Sequence, residues 1–223
     1  MYTKSKVVVL AILMGLSITK SIGQTNENRN EKFSLVFGLN QPIVTNGFNV
    51  EVNYWTKNFV IDYSHGFGLQ FRDNLTTKEA KRQHLQFNIK HSLGIGLGYR
   101  ITKDFNIRIE PKLHIWDMYY DDQFKSNKIT TYNTFTLGLG AYYKWQPFQK
   151  QENLLKGLSI VPSFRWWPNV STSLKDNKFA YANQKTKSLE TINANNIGIS
   201  NTPFFANISI GYTFSTKKRN DNK

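Results

Sequence analysis

The segment Asp62-Tyr63-Ser64-His65-Gly66 brings an acid, a hydroxyl and an imidazole within four residues, the three groups of a nucleophilic hydrolase. Strand-like alternation separates them, because Asp62 and Ser64 share one face and His65 takes the other. Ser92 points away from His91 in the same way. No two of the four histidines stand at ligand spacing on one strand face, and the chain has no cysteine. Thiolate metal sites, disulfides and a cysteine nucleophile are therefore excluded. Gly94, Gly96 and Gly98 alternate as a strand does and open no helix, so they form no phosphate loop. The reading is a non-enzyme with no catalytic residue, no metal and no cofactor.

What remains is a set of charges on alternate positions: Glu51, Asp62, Lys90, Arg100, Arg108, Glu110, Lys112, Lys144 and Arg165. Lining a pore, they would prefer anions. Packed together they would plug a lumen as an ion-pair network, since buried charges must be paired and hydrogen-bonded. The elements that carry them decide between the two.

Those elements are strands. From His84 to Thr102 one parity holds Leu85, Phe87, Ile89, His91, Leu93, Ile95, Leu97, Tyr99 and Ile101, and the other holds polar residues and glycine. A helix would scramble these sets. The same pattern runs through 59–71, 105–121, 134–145 and 204–214, with rougher versions at 33–43, 48–55 and 157–173, which makes eight strands. Long connections (44–47, 72–83, 122–131, 174–201) alternate with short ones (56–58, 102–104, 149–156). All long loops then fall on one side of a meander and both termini on the other. Thr56-Lys57-Asn58 and Thr102-Lys103-Asp104 are near-copies, as tight polar turns should be. Pro111 and Pro162 sit inside strands and would each delete a ladder bond, so bulges or shifted strand ends are expected there.

The glycines indicate which face is inside. Gly66, Gly68, Gly94, Gly96, Gly98, Gly138, Gly140 and Gly211 lie on the polar face. Inside a narrow eight-stranded barrel they make room beside charged side chains; on a solvated outer face they would weaken strands without return. The apolar face therefore points outward to lipid. The competing reading is a secreted lipocalin-like barrel with its apolar face around a ligand. Eight strands leave little open cross-section, which favours the ion-pair plug over the anion-preferring pore. Aromatic residues gather at the short-turn ends (Tyr54, Tyr99, Tyr143, Trp145, Tyr212 and Phe214) and again toward the long loops (Phe71, Tyr119, Tyr120, Tyr132 and Trp166), as two lipid–water girdles would require. His65 is placed near mid-membrane.

The N-terminus reads as an address. Lys4 and Lys6 precede an apolar run from Val7 to Leu16, and Ser21-Ile22-Gly23 offers small residues before Gln24. This is a secretory signal peptide over 1–23; the run is half the ~20 residues of a membrane-spanning helix. No cysteine follows to carry a lipid. Residues 24–31 form a short polar lead, 32–214 the barrel and 215–223 a polar basic tail. Without Lys4, Lys6 and Lys20 the chain keeps 26 basic against 15 acidic residues. At 39% apolar residues a helical membrane bundle is excluded, and 14% aromatics favour strands.

The last strand, Ala206-Asn207-Ile208-Ser209-Ile210-Gly211-Tyr212-Thr213-Phe214, alternates and closes on Phe. In this the chain resembles the small eight-stranded bacterial outer membrane barrels of the OmpA/OmpX type, although nine residues follow Phe214 where that family usually ends. The resemblance implies an all-β, eight-stranded antiparallel up-and-down transmembrane β-barrel in a bacterial outer membrane, inserted by the barrel assembly machinery. Some eight-stranded outer membrane barrels are lipid A deacylases or palmitoyl transferases; the Ser/His/acid set that this requires on one face cannot be assembled here. The expected role is structural or surface-binding, through the extracellular loops and above all 174–201. Outer membrane lipids and lipopolysaccharide are the expected partners of a basic rim. Nucleic acid is not, and the chain is expected to be a monomer.

Overall fold

A computed structural model describes residues 32–72, 75–121 and 127–215; the expected signal peptide, the polar lead up to residue 31 and the tail from residue 216 lie outside them. Its strands are β1 (Lys32–Gly38), β2 (Phe48–Trp55), β3 (Phe59–Phe71), β4 (Leu85–Arg100), β5 (Phe105–Tyr120), β6 (Thr130–Tyr143), β7 (Leu158–Trp166), β8 (Asn169–Thr172), β9 (Lys178–Ala182), β10 (Leu189–Asn193) and β11 (Phe204–Ser215). Strands β1 to β7 pair in chain order, and β11 joins β7 back to β1, with Phe33 opposite Phe214. All pairings are antiparallel, so eight staves close into an up-and-down barrel. The short β8 pairs with β6 above β7, and β9 and β10 form a separate hairpin within the longest connection.

Sequence likeness between the two tight turns becomes structural likeness. The Thr56 hydroxyl accepts the Phe59 amide at 2.9 Å, and the Thr102 hydroxyl accepts the Phe105 amide at 2.9 Å. Arg100 ties the turns together by donating to the carbonyls of Thr56 and Lys103. At the other end the first strand is shorter than the expected 33–43. It stops at Gly38, and Asn40–Val44 forms a short helix, α1. Pro42 lies in the first turn of that helix, where its missing N–H costs no helix bond. A second short helix, α2 (Lys78–Arg82), is capped by Thr77, whose hydroxyl accepts the Ala80 amide at 3.1 Å.

The outer surface carries exposed Leu35, Phe48, Val52, Phe59, Ile61, Tyr63, Phe67, Ile95, Leu97, Ile109, Leu137, Phe164 and Ile208, among others. On β3 this band runs from Phe59 to Phe67. Nine residues tilted by ~40° give roughly 20–23 Å of height, close to the ~25 Å apolar band of such barrels. An apolar exterior of that height around a polar interior inverts a water-soluble barrel, and it is the organisation of a transmembrane one.

Just above Phe67 the faces exchange. Gly68 has φ +67°, and between the pairs Phe67–His91 and Leu69–Ile89 the ladder skips Gly68 and Lys90. The β4–β5 register shifts at the same place, between Ile89 and His91. Beyond this bulge Leu69, Phe71, Leu85, Phe87 and Ile89 are buried inside, contrary to the expected single outward parity, and Gln70 and Asn88 take the outer positions. The reason is the change of solvent: below the rim apolar side chains belong in lipid, whereas above it the outside is water. An extra residue turns the strand over. At Gly68 a Cβ would meet nothing within 4 Å, so substitution tests backbone strain alone. Gly68→Ala should cost about 1–2 kcal/mol in urea titrations of the detergent-folded barrel, and Gly68→Asn clearly less.

The expected bulges at the prolines are absent from the register. Pro111 stays opposite Leu137 and Pro162 opposite Ile208 in unbroken ladders. Each is tolerated where a ladder thins. The β4–β5 pairing has no partners recorded between Gly94–Lys112 and Leu97–Ile109, beside Pro111. Ile160 exchanges both backbone bonds with Trp145, so Pro162, two residues on, turns the same edge to β6 near the strand's end at Tyr143.

Candidate functional site

The inward positions of β2 to β7 bring the charged residues together. Arg108 is the hub. Its Nη1 donates to Glu51 Oε1 (2.7 Å), Asn53 Oδ1 (2.6 Å) and Asp62 Oδ2 (3.1 Å), and its Nε to Asn106 Oδ1 (2.7 Å). Its guanidinium lies 3.9 Å from the centre of the Tyr142 ring, whose hydroxyl donates to Glu110 Oε1 at 2.6 Å. Lys112 Nζ donates to Ser64 Oγ at 2.7 Å and stands 3.8 Å from Glu110. Arg165 reaches Glu51 at 3.9 Å and packs over Tyr142 and Trp167. Toward the turns, Arg100 and Lys144 lie over the Trp55 ring. Eight of the nine charged residues read as lumenal are thus buried inside; the ninth, Lys90, is exposed on the outside. It is the bulged residue of β4, pushed out by the same exchange of faces that brings Ile89 in.

Glycine makes this density possible. A Cβ on Gly96 would fall 1.9 Å from the Asp62 carboxylate, on Gly94 2.3 Å from Lys112, and on Gly138 1.6 Å from the Trp167 ring. Trp167 was not singled out by sequence reading. It sits in Trp166-Trp167-Pro168, where the seventh stave breaks between β7 and β8, and the break turns the indole inward against Phe205 at 5.7 Å between ring centres. The signal for it was Pro168, which ends the ladder.

Above the charges the lumen becomes an apolar core. Leu69, Phe71, Phe87, Ile89, Trp116, Met118, Tyr120 and Tyr132 are closed over by Phe179 and Tyr181 of the β9–β10 hairpin and by Ala194 and Ile197. Trp116, Tyr132 and Phe179 stack in a column, at 6.0 and 5.9 Å between ring centres. Phe71, Tyr120 and Tyr132, expected in an outer girdle, therefore lie inside; Tyr119 is buried on the outer face, opposite Gln86, and Trp166 faces outward. The turn-side set of Tyr54, Tyr99, Tyr143, Trp145, Tyr212 and Phe214 lies on the outer surface, part or half exposed.

The hairpin is pinned from outside by Glu190, which accepts from Tyr181 Oη (2.8 Å) and Asn183 Nδ2 (2.7 Å). These bonds, that from Tyr181 foremost, hold its carboxyl below the ordinary glutamate value. A depressed carboxyl contributes stability above its unfolded value, near 4.3, and loses it as pH falls through the folded one. Amide exchange at β9–β10 should accelerate between pH 5 and pH 3 relative to the barrel strands, and Glu190→Gln should flatten that difference.

The histidines do not form a catalytic set. Asp62 and Ser64 are inside and His65 outside, as alternation requires. His65 lies two residues below the rim at Phe67 rather than at mid-height, and its Nε2 is 3.2 Å from His91 Nδ1 on the neighbouring strand. Strand pairing brings these two together, which spacing along one strand could not show. His114 is buried against Thr136 at 3.0 Å. Among the described residues no three His, Cys, Asp or Glu side chains cluster to hold a metal.

No family model and no characterised protein sequence matches the chain. Among solved structures it is similar to Ail, the attachment invasion locus protein of Yersinia pestis, crystallised with the heparin analogue sucrose octasulfate. The identity is 11% and the TM-score 0.38, over 83% of this chain and 99% of that one. It is also similar to a de novo designed transmembrane β-barrel, with 14% identity and a TM-score of 0.27 over 84% of this chain and 98% of that one. Likeness at this level concerns the fold alone.

Proposed function

We propose that the chain is a non-enzymatic bacterial outer membrane barrel that acts through its loop-side surface, as a structural or ligand-contacting protein of the envelope. The observation that carries this reading is a lumen filled twice over, by the Arg108 network and by the aromatic core under the β9–β10 hairpin. A barrel so filled is a pedestal, and it disfavours the narrow anion-preferring pore. The hairpin presents exposed Lys178, Lys185 and Lys187 to the exterior, Lys175 stands in the turn just before it, and α2 adds Lys78 and Lys81. Lys90 projects at the rim, level with lipid headgroups. These cations suit the phosphates of lipopolysaccharide, through attraction that salt weakens. The outward aromatics from Tyr54 to Phe214 fit the inner, periplasmic girdle. Each stave is paired on both sides, which suits a monomer.

The test is reconstitution of the mature barrel, shown to be folded by its heat-modifiable gel mobility, in planar bilayers. Silence is expected, and stepwise anion-selective currents would overturn the sealed reading. Lipid A mass spectra from cells with and without expression should be identical; a shifted acyl pattern would restore the enzyme reading. Glutamine at Lys175, Lys178, Lys185 and Lys187 should weaken lipopolysaccharide binding and its salt dependence.

A further inference from the structure

Between the charged floor and the apolar core lies a cavity of about 250 Å³. Leu69, Phe71, Ile197 and Phe205 form its walls, and Lys112 and Arg165 its floor. Val44 of α1, half exposed, and Ala206 of β11, exposed, line it as well, so it reaches the outer surface between helix and strand. The gap exists because β1 ends at Gly38 while β11 continues up to Phe204, leaving α1 to cover the remainder through Asn40, which donates to the Ala206 carbonyl at 2.8 Å. The mouth thus sits at the upper edge of the lipid-facing band.

We infer that this cavity binds a small carboxylate with an apolar body. Two of its lining residues, Arg165 and Trp167, are more than nine-tenths buried and each keeps a donor, Nε and Nε1, without a hydrogen-bond partner. The two floor cations reach carboxylates only at long range, Lys112 to Glu110 at 3.8 Å and Arg165 to Glu51 at 3.9 Å. Arg108 takes up Glu51 and Asp62 at 2.7 and 3.1 Å, which leaves Lys112 and Arg165 without a carboxylate at hydrogen-bond distance. Buried cations held so loosely are costly, and an anion at the floor offsets them. The apolar walls select what carries that anion. A cavity of ~150 Å³ accepts benzene, so this one has space for a ring or medium chain bearing one carboxylate.

The mature full-length barrel, folded in non-ionic detergent, would be titrated with 3-phenylpropionate and, as the uncharged isostere, 3-phenylpropanamide. Saturable one-to-one binding of the acid is expected, with the amide about tenfold weaker or worse. The Trp167 indole N–H resonance, identified by Trp167→Phe, should move on adding acid. Val44→Trp fills the mouth from an exposed position and should weaken the acid at least tenfold without altering gel mobility. Lys112→Met should reduce the preference for acid over amide, Arg165 keeping the remainder; if it fails to fold, Val44→Trp and the Trp167 resonance still decide. Equal binding of acid and amide, or no saturation on a folded barrel at millimolar acid, overturns the inference. So does binding that ignores Val44→Trp and leaves Trp167 unmoved. None of these readouts depends on the proposed role of the hairpin surface.

Discussion

Replacing Arg108 with methionine is expected to lower the stability of the folded barrel by about 3–5 kcal/mol, the cost of leaving buried charges unpaired. Methionine fills much of the same volume, so the loss is mainly electrostatic. Glu51 and Asp62 would keep their burial and lose the guanidinium 2.7 and 3.1 Å away, and Tyr142 would lose the cation stacked on its ring. Urea titrations of refolding into short-chain lipid vesicles measure this as a fall in midpoint. Arg108→Met combined with Glu51→Gln and Asp62→Asn should recover a large part of the loss, because neutral amides tolerate burial where carboxylates do not. A triple variant no more stable than the single one would show that Arg108 acts by packing rather than by charge.

Gly138→Val should be at least as damaging. The new Cβ would fall 1.6 Å from the Trp167 ring, an overlap that backbone adjustment cannot absorb. Trp167 has to leave the interior, and expelling a buried tryptophan costs about 3–5 kcal/mol. The unboiled protein should lose its heat-modifiable band or show it only in part. Trp167→Ala in the same chain removes the obstacle, so the double variant should fold better than Gly138→Val alone. If the two changes simply add, the valine clashes elsewhere.

The barrel was legible because lipid imposes a strict demand on every second residue. Along β3 and β4 below the rim, Ile61, Tyr63, Ile95 and Leu97 point out and Asp62, Ser64 and the glycines point in, as alternation alone predicts. It also assigned eight of the nine charged residues to the interior. Lys90 was misplaced for a physical reason. Parity along 85–101 never changes in the sequence, but the side on which apolar residues belong changes where lipid gives way to water. Unbroken parity therefore requires a bulge, and a pattern that does not mark the rim cannot show where. β5 solves the same problem differently: Leu113 and Ile115 face out, then Trp116 and Met118 face in. Here the sequence itself changes parity, which reads as noise until the rim is known. The cavity was invisible for another reason, since it depends on α1 replacing the top of β1.

The ladder registers fix one further quantity. From Phe33 the partners run through Tyr54, Ile61, Leu97, Ile109, Leu139 and Trp166 to Phe204, whereas the direct partner of Phe33 on β11 is Phe214. One circuit thus arrives ten residues away from its start, a shear of ten over eight strands. With ~3.3 Å per residue and ~4.8 Å between strands, that stagger sets a tilt of about 41° and a radius of about 8 Å. Diameter is then a property of pairing rather than of side chains. Widening the lumen would require every bond along one seam to slip by two residues together, so no small motion of the charged plug can make this barrel breathe.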